Sequence, residues 1–163
     1  MLLTRRAGLS LALAVSLLAG CAHPVRTPEQ RPAQFWSGRL ALQVEESQSH
    51  SFAAGFELEG SAQAGELKLF SPLGGTLAQL AWAPGSATLN AGGKTQQFDS
   101  LEALAAKATG TPLPVAALFD WLRGLNTSIP GWEADLSQLA EGRLRARRVS
   151  PPPAADLRVA IDK

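Results

Sequence analysis

Residues 65–82 read GELKLFSPLGGTLAQLAW, and this stretch has the pattern of a β-hairpin. Apolar and polar residues alternate in GELKLF and again in TLAQLAW, which is the period of a strand with one buried face. Between them, Pro72 presets φ and the pair Gly74 and Gly75 tolerates positive φ, so SPLGG predicts the turn. Leu73 stands at the apex of this turn, where a polar residue is usual and a large aliphatic side chain would point into water.

The same two-residue period recurs on both sides of the hairpin. It is found in FWSGRLALQVE (35–45) and SFAAGFELEG (51–60), and again in GWEADL (131–136), GRLRARRV (142–149) and ADLRVAID (155–162). SATLNAGG and KTQQF, which follow the hairpin, repeat it more weakly. Polar and glycine-rich clusters separate these segments, so the pattern predicts an antiparallel meander with one apolar face.

Two segments have the period of a helix instead. DSLEALAAKATG (99–110) offers Asp99 as N-cap and Gly110 as terminator. PLPVAALFDWLRGL (112–125) places Pro114 near the first helical position, and the helix is predicted to stop at Gly124. Its apolar stripe has the i, i+3, i+4, i+7 spacing of one helix face and consists of Val115, Leu118, Phe119 and Leu122, with Trp121 beside it.

The order of elements is therefore strands, two helices, strands. An apolar sheet face must be covered, and two short helices cannot cover so many strands. A strongly curved sheet with helices closing one opening is the economical arrangement, and it leaves room for an apolar hollow.

The first twenty residues predict a signal peptide. Arg5 and Arg6 supply a positive start, and AGLSLALAVSLLAG follows as an uncharged stretch that is short for a membrane-spanning helix. The two arginines fit either an ordinary signal or a twin-arginine signal. We assign residues 1–20 to this peptide.

Cys21 is the only cysteine, and it follows Leu-Ala-Gly directly. Leu-Ala-Gly-Cys resembles the bacterial lipobox, which implies cleavage before Cys21 and acylation of its sulfur and amino group; the alternative is a chance cysteine beside an ordinary cleavage site. Ala22 stands where an aspartate would mark inner-membrane retention, so the resemblance implies an outer-membrane lipoprotein facing the periplasm. Residues 21–34 are then the lipidated cysteine and a proline-rich tether, and residues 35–163 form the folded domain.

Few residues offer catalytic or metal-binding chemistry. His23 lies in the tether and His50 in a polar turn, and the sequence has neither a G-x-S-x-G motif nor a His/Asp/Glu cluster with metal-ligand spacing. Glu57 and Glu59 fall on the polar face of a strand, and we interpret them as part of a solvated face and not as a catalytic pair. We therefore expect no enzyme, no metal and no cofactor. The formal charge of +1 gives no argument for a nucleic-acid partner.

The basic run Arg143, Arg145, Arg147 and Arg148 leaves two interpretations open. It is either the solvated outer face of an exposed strand or a contact surface for lipid phosphates or an acidic partner.

Three stretches, in order behind the lipobox, resemble the LolB family of outer-membrane lipoprotein receptors. They are WSGRLALQV (36–44), LFSPLGG (69–75) and PLPVAALFDWLRGL (112–125). The resemblance implies an incomplete antiparallel β-barrel, mainly β with two or three helices, in which the helices form a lid over a hydrophobic cavity. The segment after Gly131 is shorter than the family pattern and lacks a hairpin, so a smaller sheet and a shallower cavity are expected.

The family resemblance also implies a function. Its members accept lipoproteins from the periplasmic carrier LolA and insert them into the inner leaflet of the outer membrane, without nucleotide or cofactor. By match to the motif, Pro72, Leu73 and Gly74 form the membrane-inserting loop; a leucine folded back onto its own hairpin is the alternative. Partners implied are the carrier, the acyl chains of cargo lipoproteins and the outer membrane, and we expect a monomer.

The cavity candidates are the apolar residues of the strand faces and of the helix stripe. They are Trp36, Leu40, Leu42, Phe52, Phe56, Leu58, Leu67, Leu69, Trp82, Leu118, Trp121 and Leu122. Plain core packing is the competing interpretation for each. A structural envelope lipoprotein that uses the same fold to bind another envelope protein is the alternative function, and it predicts a filled core.

Overall fold

A computed structural model describes residues 34–45, 50–109 and 113–163. The predicted signal peptide, Cys21 and all but the last residue of the tether lie outside the described residues, as does Gly110. Among the described residues, no helix is long and apolar enough to cross a membrane.

Nine strands form one antiparallel sheet across the described residues. They are β1 (Phe35–Glu45), β2 (His50–Gly60), β3 (Gly65–Phe70), β4 (Thr76–Ala83), β5 (Ser86–Ala91), β6 (Lys94–Phe98), β7 (Trp132–Asp135), β8 (Arg143–Arg148) and β9 (Ala154–Ile161). Their order in the sheet is β6-β5-β4-β3-β2-β1-β9-β8-β7. Because β6 and β7 are not paired with each other, the sheet is open, and the predicted mainly β, incomplete barrel is confirmed.

The central hairpin matches its sequence pattern. β3 and β4 pair antiparallel with Leu67 opposite Leu80, and the register shifts between Leu69 and Phe70 just before the turn. Leu67 also lies opposite Leu58 of β2, so apolar side chains meet across three strands on the inner face. Such cross-strand apolar pairs are the unit that stabilises a sheet.

The C-terminal strands extend the sheet on the other side of β1. β9 pairs with β1, placing Leu157 opposite Leu42 and Val159 opposite Leu40. β8 alternates strictly between exposed and buried residues, as its sequence predicts. One consequence is that Arg148, at the end of β8, is buried.

In the described part of the chain, two α-helices lie between β6 and β7: α1 (Leu101–Thr109) and α2 (Val115–Leu122). The N-cap of α1 is Ser100 and not Asp99, because the Oγ of Ser100 accepts a hydrogen bond of 3.1 Å from the N–H of Ala103. α2 begins after Pro114, as expected. A short 3₁₀ turn at Leu139–Glu141 precedes β8.

Candidate functional site

An apolar cavity of about 640 Å³ lies between the inner face of the sheet and the two helices. Packed protein interiors contain few voids larger than a water molecule. This volume instead falls in the range of roughly 300–1,000 Å³ that is typical of ligand pockets. The core is therefore not filled, contrary to what the structural-lipoprotein alternative predicts.

All the predicted cavity residues except two tryptophans line this space. Those that do are Leu40, Leu42, Phe52, Phe56, Leu58, Leu67, Leu69, Trp82, Leu118 and Leu122. The strand members come from β1 to β4, which the alternating pattern places on one face, and the helical members come from α2.

Trp36 and Trp121 do not line the cavity, so their prediction needs correction. Trp121 is fully buried, and its indole N–H donates a hydrogen bond of 2.9 Å to the carbonyl oxygen of Thr127. A helix turns about 100° per residue, so Trp121 is rotated away from Leu122, which does face the cavity. Trp36, at the start of β1, packs edge-on against Phe119 with ring centroids 5.8 Å apart.

The structure adds lining residues that sequence reasoning missed. The strand members are Val44, Ser51, Leu77, Ala78, Leu80, Leu89, Ala91, Leu157 and Val159. The members from α1 to α2 are Leu101, Ala105, Leu113, Pro114 and Val115. Most strand members continue the alternation already visible in the sequence. The two from β9 could not be assigned, because no local pattern indicates that β9 lies beside β1.

The lining carries no charged side chain among the residues that the structure describes. Ser51 supplies the only hydroxyl group of the described lining, and the indole N–H of Trp82 is already bonded at 3.0 Å to the carbonyl oxygen of Ser61. A ligand inside would meet almost only aliphatic and aromatic carbon. Such a lining suits a hydrocarbon chain and offers nothing to a polar or charged group.

The exposed members of the lining mark the mouth of the cavity. Phe52 and Leu77 line it yet remain 39% and 41% exposed. Both lie at the end of the sheet where β3 passes into β4. At the opposite end Leu58, Trp82 and Leu101 are buried. The cavity is therefore closed at one end and opens at the end that carries the β3–β4 turn.

Backbone hydrogen bonds hold the β3–β4 turn in a fixed shape. The N–H of Gly74 donates a hydrogen bond of 2.9 Å to the carbonyl oxygen of Ser71. The N–H of Ser71 donates one of 2.8 Å to the carbonyl oxygen of Gly75. The Oγ of Ser71 accepts a further bond of 3.1 Å from the N–H of Gly75. Gly74 has a φ of 83°, which glycine adopts without strain.

Leu73 is the most exposed large apolar residue among those described. Its side chain is 98% exposed at the apex of the turn. The alternative of a leucine folded back onto its own hairpin is therefore wrong. The turn holds this aliphatic side chain in water. Its contact with an apolar partner would lower the free energy of the system.

Ion pairs lie on the outer face of the sheet, away from the cavity. Asp156 of β9 accepts hydrogen bonds from Arg145 and from the Nε of Arg158 at 2.9 Å, and the Nε of Arg147 lies 3.9 Å away. Partial burial raises the pKa of Asp156, but the two arginine bonds outweigh this and hold it below its usual range. Asp156 thus forms ion pairs with several arginines on this face. These pairs are compatible both with a solvated outer face and with a contact surface for lipid phosphates or an acidic partner.

A second carboxylate has a structural role at the end of α2. Asp120 accepts a bond of 2.7 Å from the Oγ1 of Thr127 and another from Arg123, and these bonds lower its pKa. They tie the end of the helix to the following loop. Within the described ranges, no group of three or more His, Cys, Asp or Glu side chains could hold a metal ion.

Comparisons with known proteins identify relatives across most of the chain. The model of the family described as outer membrane lipoprotein LolB matches residues 34–149. An outer-membrane lipoprotein LolB of Bordetella petrii is 33% identical, over 91% of this chain and 88% of the relative. One from Chromobacterium violaceum is 36% identical, over 83% of this chain and 74% of the relative. A third, from Cupriavidus pinatubonensis, is 33% identical, over 86% of this chain and 70% of the relative.

Proposed function

This chain belongs to the LolB family of outer-membrane lipoproteins, and we propose how it receives other lipoproteins and inserts them into the outer membrane. The acyl chains of a cargo lipoprotein enter the apolar cavity from a LolA-type carrier. Leu73 then enters the bilayer surface and brings the mouth of the cavity to the lipid. The cargo passes into the inner leaflet of the outer membrane.

The observation that supports this proposal is the position of Leu73 relative to the cavity. A cavity lined almost entirely by carbon opens at the same end of the sheet where a 98% exposed leucine is held by a hydrogen-bonded turn. A filled core would have supported the alternative of a structural envelope lipoprotein. No described feature favours that alternative.

The energies required of the two sites differ. Each methylene moved out of water contributes about 0.8 kcal/mol, so a free acyl chain cannot cross the periplasm unshielded. The cavity must shield the chain but hold it less tightly than the bilayer does. Leu73 contributes only about 1.5–3 kcal/mol when it is buried in lipid. That is too little to anchor the protein, but it is enough to bias the orientation of the mouth.

The remaining parts of the proposal concern the whole chain. Residues 1–20 direct export, Cys21 carries the acyl anchor, and residues 21–34 hold the domain of residues 35–163 off the membrane. The protein acts as a monomer with the LolA-type carrier as partner. It needs neither a catalytic residue nor a cofactor, because transfer runs from a weaker to a stronger apolar environment.

The test follows a radiolabelled lipoprotein from loaded carrier to this protein and then into liposomes. Soluble protein without residues 1–21 is compared with its Leu73→Glu variant and with Leu125→Glu, a control at an aliphatic residue that is 54% exposed. We expect all three proteins to accept label and only Leu73→Glu to fail in releasing it to liposomes. If the wild-type protein accepts no label, the receptor proposal is wrong. If Leu73→Glu releases normally, the role of Leu73 is wrong.

A further inference from the structure

The end of the sheet that carries Leu73 also carries most of the exposed large apolar side chains. Of those among the described residues, Phe52, Leu73, Leu77 and Val149 lie at this end. Single exposed apolar residues are normal on protein surfaces. A series of them at one end of a cavity is not explained in that way, and Leu73 alone does not account for the others.

Val149 lies at this end because of the strand pairing. Arg148, the last residue of β8, is paired with Ala155, and Ala155 is paired with Val44 near the end of β1. Val44 is paired in turn with His50 at the start of β2. Since β3 runs antiparallel to β2 and ends at Phe70, the β3–β4 turn and the β8–β9 connection leave the sheet at the same end.

Val149 is held outward in the same manner as Leu73. The outward positions of β8 are Arg143, Arg145 and Arg147, and Val149 continues this series where a fourth polar residue would be expected. Its side chain is 51% exposed, and its N–H donates a hydrogen bond of 2.8 Å to the carbonyl oxygen of Gly131. The backbone therefore fixes Val149 in place, and it does not hang from a loose loop.

We propose that Val149 is a second membrane contact, which works together with Leu73 to set the mouth of the cavity flat against the lipid surface. This inference rests on the proposed function of the cavity and of Leu73. The partner of Val149 is the lipid surface of the membrane that receives the cargo.

The distance between the two contacts is what makes the second one useful. β3 and β8 are four strand positions apart in the sheet, which is roughly 19 Å measured along the curved sheet at about 4.8 Å per strand. A single inserted side chain leaves the protein free to tilt around it. A second contact leaves only rotation about the line that joins the two, and Phe52, on β2 between their strands, adds a third exposed apolar side chain at this end. An acyl chain then leaves the cavity without crossing water.

Charge alone does not explain a membrane contact at this end. Arg147 and Lys94 are exposed at this end, and so are Glu45 and Glu133. Opposite charges leave no strong net attraction for anionic headgroups. The contact we infer is therefore apolar, and it should depend little on salt concentration.

The test places a fluorescent label at single positions of the lipidated chain in liposomes. Cys21 is the only cysteine in the sequence, and its thiol is blocked once it is acylated, so Val149→Cys, Leu73→Cys and Leu125→Cys each introduce one reactive thiol. The label is a nitrobenzoxadiazole group, whose emission shifts to the blue in lipid. Spin-labelled lipids that quench at the headgroup and at the acyl region report its depth.

We expect the label at positions 73 and 149 to shift and to be quenched by the lipids, and the label at 125 to do neither. A response at 73 without one at 149 overturns this inference and leaves the proposed function standing. No response at either position overturns the membrane role of Leu73 together with this inference. A response at all three positions also overturns it, because the contact would then have no defined direction.

A second measurement reads function directly. In the transfer assay, Val149→Glu should slow release into liposomes by about tenfold, because a carboxylate replaces an apolar side chain of valine size at the lipid surface. Acceptance of label from the carrier should remain unchanged, which separates lipid contact from misfolding. Equal release rates for Val149→Glu and Leu125→Glu would contradict the inference.

Discussion

Filling the cavity should stabilise the protein and impair its binding of acyl chains. Ala78 on β4 lines the cavity, and it lies between Leu69 of β3 and Ala91 of β5. The substitution Ala78→Phe directs a phenyl ring into space that no side chain of the described residues occupies. Ala81→Phe is the matched control, because Ala81 lies on the same strand with its side chain on the opposite face of the sheet.

The magnitudes follow from the apolar surface involved. A buried phenylalanine side chain contributes about 1.5–3 kcal/mol when it leaves water, and the partly open mouth reduces this to roughly 1–2 kcal/mol. In a chain of this length, each kcal/mol raises Tm by about 2–4 °C. If the ring displaces three methylenes of a bound acyl chain, binding weakens by about 2.4 kcal/mol, or roughly fiftyfold.

Two assays on the same protein check these values. Guanidinium unfolding gives the change in stability, and displacement of a fluorescent fatty acid gives the change in affinity. The control Ala81→Phe should change the free energy of unfolding by no more than about 0.5 kcal/mol and should bind fatty acid normally. A loss of about 1–3 kcal/mol for Ala78→Phe, which is usual for overpacking, together with unchanged fatty-acid affinity, would refute the existence of a working cavity.

Three further predictions concern the scaffold. Asp156→Asn should destabilise the protein by about 1–2 kcal/mol at neutral pH. The folded-state pKa of Asp156 is lowered, so the difference in the free energy of unfolding between variant and wild type should shrink as pH falls through that pKa. An equal difference at pH 7 and pH 2, measured by urea unfolding, would contradict this. Gly131→Ala should lower stability more than Gly93→Ala does. Both glycines have positive φ, but only at Gly131 would the added Cβ clash, because it would lie 1.7 Å from the carbonyl oxygen of Ser150. Equal Tm values for the two variants would contradict this. Ser100→Ala should cost about 1 kcal/mol through the lost N-cap, and unchanged thermal unfolding would show that the cap contributes nothing.

Local patterns predict much of this fold because they act over a few residues. The alternation in residues 65–82 places Leu67 and Leu69 on the inner face, and the turn residues locate the hairpin between them. The cavity lining from β1 to β4 follows from the same alternation. Leu73 stands out in the sequence because its apolar character conflicts with its place in a turn.

The remaining features depend on contacts that local patterns do not specify. Leu157 lines the cavity only because β9 pairs with β1, more than a hundred residues away in the chain. Trp121 is excluded from the lining by one step of helix rotation, although it lies beside the apolar stripe. Asp99 and Ser100 can each cap a helix, and the turn that follows β6 decides in favour of Ser100.

If the cavity holds the acyl chains of the cargo, a crosslinker placed inside it should capture them during transfer. A diazirine amino acid is placed at Val159, which lines the cavity, or at Ala160, the next residue, which is exposed on the outer face. Carrier loaded with radiolabelled lipoprotein is added, and the sample is illuminated during transfer. We expect position 159 to crosslink to the acyl chains and position 160 not to do so. Completed transfer without a crosslink at 159, or equal crosslinking at both positions, would contradict it.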